Sequence, residues 1–130
     1  MQNKNGGVIM NRVTHFEIGA EKPEELVDFY NKTFDWKFEK WAGPMDYWMI
    51  MTGDEKLPGI DGGLKKRDEM GTNTVNTIGV SDIDECIKKI IENGGKITVP
   101  KMAVPSVGWL SYFADPQGNV FGIMQSDQTA

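Results

Sequence analysis

The chain has 130 residues, 14 Lys+Arg against 19 Asp+Glu, a formal net charge of −5 at neutral pH, one His and one Cys. That length suits one domain with a real hydrophobic core, and the acidic balance argues against non-specific binding to nucleic acid or anionic membranes, which depends on a field of Lys and Arg. Cys86 alone excludes an intrachain disulfide framework and zinc sites built on cysteine pairs, in keeping with a reducing compartment, and His15 alone excludes a multi-histidine metal site made by one chain.

Residues 1–10 read as a flexible N-terminal segment with no apolar run long enough for a signal-peptide core. No stretch reaches the roughly 18–20 apolar residues of a membrane span, so the expectation is a cytoplasmic protein whose residues 11–130 form a single domain. From Asn11 to Ile18, β-branched and aromatic residues alternate ahead of Gly19 and predict a strand, with His15 and Glu17 on one face and Phe16 and Ile18 on the other. Pro23 to about Phe34 places Leu26, Phe29, Tyr30, Thr33 and Phe34 on one face of an amphipathic helix, with Pro23 suited to its first turn and Glu24 and Glu25 to its positive end. Strands follow at Trp36–Trp41, Tyr47–Thr52 and near Ile60–Leu64, giving the order β-α-β-β-β.

The same order then recurs. Asn76–Val80 is strand-like, Ser81 or Asp82 can cap a helix with Ile83, Ile87, Ile90 and Ile91 as its apolar stripe, and Asn93-Gly94-Gly95 supplies a stop. Lys96–Val99, Gly108–Ala114 and Val120–Gln125 read as three more strands, the last two joined by the turn at Asp115–Gly118. Phe16 matches Ile78 at a spacing of 62 residues, Trp48 matches Trp109 at 61 and Gly63 matches Gly122 at 59, as small loop deletions between two copies would leave. The chain is therefore read as two βαβββ repeats, about 11–64 and 74–126, joined through the polar segment 65–73. One helix covers one face of each four-stranded sheet, so the other face must be buried elsewhere or line a cavity. Two units about a pseudo-twofold axis would enclose a shared cleft, with His15 and Glu17 facing Thr77 and Gly79 and with Phe16 and Ile18 under the first helix.

The repeated order, the stretch His15-Phe-Glu-Ile18 followed by Phe29-Tyr30 and Phe34-Asp-Trp36, the segment Gly59–Leu64, and Asp115–Asn119 ahead of a last strand together resemble the vicinal oxygen chelate superfamily. Within it the chain is most similar to the small glyoxalase/bleomycin-resistance-like proteins, over about Arg12 to Ser126. The resemblance implies an α+β fold of tandem βαβββ units around a shared cleft. In metal-dependent members it also implies ligands on the first and last strand of each unit, where the metal would hold adjacent substrate oxygens. Those positions here are His15, about Gly63, Thr77 and Gly122, and His15 alone is a good ligand, because glycine has no side chain and a threonine hydroxyl is a poor transition-metal donor. Glu17 shares the face of His15, but two ligands bind weakly without a symmetric partner. The expectation is no metal and no cofactor.

Serine-histidine catalysis lacks a nucleophile-elbow context, Cys86 sits mid-helix as an inert small residue, and the glycine pairs belong to no phosphate-binding motif. What remains is binding. Four Trp, eight Met, six Phe and three Tyr suit a pocket for planar or irregular small molecules, with Gly63 and Gly122 leaving room in it. The candidate ligand-binding residues are His15, Glu17, Trp48, Thr77, Trp109, Gly122 and Met124, with His15 and Glu17 also the candidate catalytic pair. On the third strand either Trp48 and Ile50 or Met49 and Met51 line the cleft, and alternation alone does not choose. The leading reading is a metal-independent protein binding an aromatic or apolar small molecule; the alternative is a lactoylglutathione-lyase-like lyase or isomerase, or a dioxygenase, acting on a vicinal-oxygen substrate. Neither nucleic acid nor membrane is an expected partner, and an isologous homodimer is left open.

Overall fold

The computed structural model describes residues 11–67 and 74–130; the expected flexible N-terminal segment and most of the polar junction lie outside the described residues. In chain order the elements are β1 (Arg12–Ala20), α1 (Pro23–Phe34), β2 (Lys37–Lys40), β3 (Tyr47–Met51), β4 (Gly62–Lys66), β5 (Thr74–Gly79), α2 (Ile83–Glu92), β6 (Lys96–Val104), β7 (Gly108–Ala114) and β8 (Val120–Ser126). The chain packs as two units, Thr14–Asn76 and Thr77–Ala130, the second also taking the described residues before Thr14.

Both units have one topology. In the first, the strands run in the order β2-β3-β4-β1, with β1 and β4 parallel and the other neighbours antiparallel. In the second, the order β5-β8-β7-β6 repeats this, with β5 and β8 parallel and the remaining pairs antiparallel. The sequence order β-α-β-β-β, met twice, is thus an α+β arrangement of four strands and one helix, met twice.

Register assigns every side chain to a face. In the first unit Phe16 pairs with Gly62, Gly62 with Ile50 and Ile50 with Phe38, and this row lies under α1. There Ala20, Ile50 and Leu64 are fully buried, with Phe16, Ile18, Leu26, Val27, Trp36, Phe38 and Trp48 packed around them. Burial of side chains such as Ile50 and Leu64 stabilises the unit by about 1.5–3 kcal/mol each. The alternate row, Glu17 with Gly63 and Met49, and Lys65 with Tyr47, faces away from the helix. The second unit repeats the division: Val80, Ile83 and Ile123 are buried against Ile78, Cys86, Ile87, Ile90, Trp109 and Phe113 on the helix side, and the row Thr77, Gly122, Tyr112 faces away from it.

Three expectations are revised. The stripe on α1 is rotated: Leu26 and Val27 meet the core, whereas Phe29 and Phe34 are 53% and 58% exposed. Tyr30 stacks on Trp36 at 5.0 Å and Trp36 in turn touches the ring of Phe16, so an aromatic ladder occupies the sheet edge and turns the helix. Periodicity defines an apolar arc, not the part of it that meets the sheet. In α2, capped by the Asp82 carboxylate accepting from the Glu85 amide at 3.1 Å, Cys86 packs inward and Ile91 is exposed. Finally, β6 runs on through Pro100 to Val104, beyond the Val99 at which the strand was expected to end. It is a terminal strand of its unit's order with register shifts between Ile97 and Met102, and a strand edge with irregular pairing tolerates a residue that cannot donate.

Candidate functional site

The face of the first unit away from α1 gathers ionisable side chains from three strands. Residues β1 and β4 place there, His15 and Glu17 with Gly63 and Lys65, lie beside Tyr47 and Met49 from β3. Tyr47 hydroxyl oxygen is 2.9 Å from His15 Nε2, and the Glu17 carboxylate lies near enough to act on the phenol electrostatically. Lys65 Nζ stands 3.4 Å from Glu17 Oε1, an ion pair in which both side chains are largely withdrawn from water. Glu17 is only 8% exposed, so its charge depends on these partners.

Gly63 makes the arrangement possible. A Cβ built at that position would overlap the Tyr47 hydroxyl and ring carbon Cζ, so the phenol occupies the space that any side chain at 63 would need. In the second unit a Cβ at Gly122 would stand 3.1 Å from Thr77 Oγ1 and 3.3 Å from the ring of Tyr112. Both glycines are therefore packed against a tyrosine from the neighbouring antiparallel strand, rather than bordering open room.

Burial sets the electrostatics. It lowers the pKa of His15, against the opposing pull of the Glu17 and Asp61 charges, so the imidazole is neutral at neutral pH. Tyr47 is pushed far above the usual phenol range, first by burial and then by the charge of Glu17. Asp61 is fixed nearby in sequence to β4, accepting from the Thr52 amide at 2.9 Å and from its hydroxyl at 3.2 Å.

The ligand set that the family resemblance implies is not met by these residues. Of its four positions, Gly63 and Gly122 offer no donor atom, Thr77 offers a buried hydroxyl, and His15 Nε2 is engaged by Tyr47. Among the described residues no group of three or more His, Cys, Asp or Glu side chains is placed to hold a metal ion.

His15 and Glu17 are thus brought together, with Tyr47 and Lys65 as partners that sequence reasoning missed. The signal for Tyr47 was present: it precedes Met49 by two residues on a strand, and Met49 pairs with the glycine it covers. Thr77, Gly122 and Met124 lie on the corresponding face of the second unit, Thr77 opposite Gly122 and Met124 opposite Gly79. Trp48 and Trp109, expected as cleft residues, stand instead on the helix-covered faces, because strand alternation puts them in the rows of Ile50 and Ile123. Lys40 Nζ lies 5.2 Å from the Trp48 ring and Lys101 Nζ 4.7 Å from that of Trp109, whose Nε1 donates to Asp127 at 3.1 Å. Trp48 and Trp109 each pack the core of their own unit, and within the first unit Trp48 lies on the face opposite His15. No helix among the described residues is long and apolar enough to cross a membrane.

Comparison with known proteins agrees with this fold. A glyoxylase-like domain-containing protein of Didymella fabae is 27% identical over 121 residues, covering 89% of this chain and 94% of its own. A putative glyoxylase of Mycobacterium tuberculosis is 29% identical over 51 residues, 39% of this chain, and that match spans 20% of its length. A methylmalonyl-CoA epimerase structure from Streptomyces coelicolor superposes with a TM-score of 0.69 at 15% identity, over 92% of this chain and 97% of that one, a likeness of fold. Residues 12–123 match the family model, and the chain belongs to the Glyoxalase/Bleomycin resistance protein/Dioxygenase superfamily.

Proposed function

We propose that this protein binds a small, partly aromatic or apolar molecule without a metal ion, on the face of the first unit that carries His15, Tyr47 and Glu17. The observation that supports it most strongly is the Tyr47 phenol standing where a side chain at 63 would project, its hydroxyl engaged with His15 Nε2. A ligand-forming nitrogen and a ligand-bearing position are both given over to hydrogen bonding within the protein. Met49 and Met51 share the face of Tyr47, and Met49 is 37% exposed, so soft apolar surface adjoins the polar cluster. Such a combination, a few placed polar groups within an apolar surround, is the usual make-up of a small-molecule site.

The test is metal analysis of protein purified with neither added metal nor chelator, beside the His15→Ala variant. Substoichiometric Zn, Ni, Fe and Mn in both is the expected result. A stoichiometric metal that disappears with His15→Ala overturns the proposal.

The second reading, a metal-dependent lyase, isomerase or dioxygenase, is favoured by the similarity to a glyoxylase-like domain-containing protein over nearly its whole length. Fold and family host several chemistries, so this support is by analogy. It requires turnover of an α-keto or vicinal-oxygen substrate with added divalent metal, abolished by His15→Ala.

A further inference from the structure

We propose that the apolar groove beside α2 in the second unit is the seat of Val8-Ile9-Met10, the residues of this chain just ahead of β1. The seat involves neither His15 nor a bound molecule, so it stands apart from the binding reading above.

The groove follows from where the helix lies. Helix α2 packs on β6, β7 and β8. Beside it the helix-side row of β5, Ile78 and Val80, forms a floor together with Phe113 and Ile123. Cys86 and Ile90 of α2 make the wall, and the groove holds about 380 Å³. At its mouth stand the exposed side chains of Asp82, Glu85 and Lys89.

The occupant is argued from the point at which the chain enters. Asn11 is the first described residue, and it lines the groove. Its amide donates to the Gly79 carbonyl at 2.7 Å, which ties the start of β1 to the end of β5, next to Val80. With φ at 74°, Asn11 is in the left-handed region, so the chain ahead of it turns out of the line of β1, and asparagine tolerates that conformation better than most residues. A segment that starts on the groove's own wall needs no linker to reach its floor, since three extended residues span about 10 Å.

Composition agrees with the seat. Val8-Ile9-Met10 is the one apolar run among residues 1–10, set off from the polar Gln2–Asn5 by Gly6-Gly7. Lys4 is the single charged side chain of residues 1–10, and the mouth of the groove presents two carboxylates against one ammonium. Burying the run removes apolar surface from water on both sides, and covalent attachment gives this occupant a high effective concentration.

Cys86 is the only cysteine in the chain, so its alkylation by iodoacetamide under native conditions reads closure of the groove as a single rate. The unmodified full chain is compared with the apolar variant Val8→Ser/Ile9→Ser/Met10→Ser and with a polar control, Gln2→Ser/Asn3→Ser/Asn5→Ser. The apolar variant is expected to react about five- to tenfold faster, because three buried apolar side chains outweigh the ordering of their backbone, and the control at the unmodified rate. Equal rates in all three overturn the proposal. Protection that grows with protein concentration also overturns it, since the occupant is then a second copy. Because unfolding would expose the thiol too, nuclear Overhauser effects are measured in the unmodified protein. Cross-peaks from the Val8 and Ile9 methyl groups to the Phe113 ring and the Ile90 methyl groups are expected; their absence overturns the seat whatever the variant's rate.

Discussion

Gly63→Ala is the smallest change that probes the site, because one methyl group competes directly with Tyr47. An added Cβ would overlap the phenol hydroxyl and Cζ and lie 2.7 Å from Cε1, and these atoms belong to a rigid ring, so the whole side chain must leave its place. Leaving forfeits the hydrogen bond to His15, worth about 1 kcal/mol, and the packing of a half-buried aromatic ring, worth about 1.5–3 kcal/mol. Replacing glycine in a strand regains about 0.5–1 kcal/mol. The net expectation is a destabilisation of about 2–3 kcal/mol, which for a chain of this size lowers the melting temperature by about 8–12 °C. Urea unfolding of a four-member set isolates the cause: unmodified protein, Gly63→Ala, Tyr47→Ala and the double variant. With the ring already gone, the alanine at 63 is neutral or stabilising, and the coupling between the two positions is about 2–3 kcal/mol. Equal cost of Gly63→Ala in both backgrounds, or no cost in the unmodified protein, refutes the claim that Tyr47 occupies the space of a side chain at 63.

Other expectations follow from the same contacts. Because burial lowers the His15 pKa in the folded state, the unfolded chain binds the proton first as pH falls. The His15 contribution to stability is therefore complete above the unfolded value of about 6.5 and declines as pH drops from there toward the lowered folded value. Urea midpoints measured between neutral pH and mildly acidic pH show this slope, and His15→Gln removes it; an unchanged slope in the variant contradicts the assignment. The depressed carboxyl groups of Asp115 and Asp127 act separately, at the lower pH where carboxylates protonate. In ultraviolet titration the Tyr47 phenol is expected to resist ionisation well above the usual phenol range, and Tyr47→Phe removes that component of the curve. Asp82→Ala removes the carboxylate that accepts from the Glu85 amide at the start of α2 and costs about 1 kcal/mol in denaturant unfolding, while leaving the His15 spectrum unchanged.

Much of the fold was legible because its signals are local and repeat. Alternation placed β1, β3 and β7, the Pro23 and Asp82 starts placed both helices, and the 59–62-residue spacing exposed the duplication. Alternation also put His15 and Glu17 on one face and Phe16 and Ile18 on the other, as the packing of Phe16 and Ile18 with Ala20, Ile50 and Leu64 requires. The faces of Trp48 and Trp109 were not legible, since a strand bearing large residues on both sides gives no sign of which side the helix covers. Nor was the Tyr47–Gly63 contact, which joins residues on adjacent strands diagonally: pairing places Tyr47 opposite Lys65, and only the direction of the side chain brings its hydroxyl over Gly63. The continuation of β6 beyond Val99 was not legible either, because tolerance of Pro100 within it depends on lying in a terminal strand of the order, a property of topology and not of composition.

The central claim is metal-independent binding at the His15–Tyr47 face, and it is tested most directly by screening aromatic fragments against chelator-treated protein while following the imidazole resonances of the single histidine. On this account some fragments move those resonances in the presence of chelator, and Tyr47→Ala or His15→Ala abolishes their binding. Fragment binding that appears only after Zn, Ni, Fe or Mn is restored, with the metal retained through His15, would contradict it.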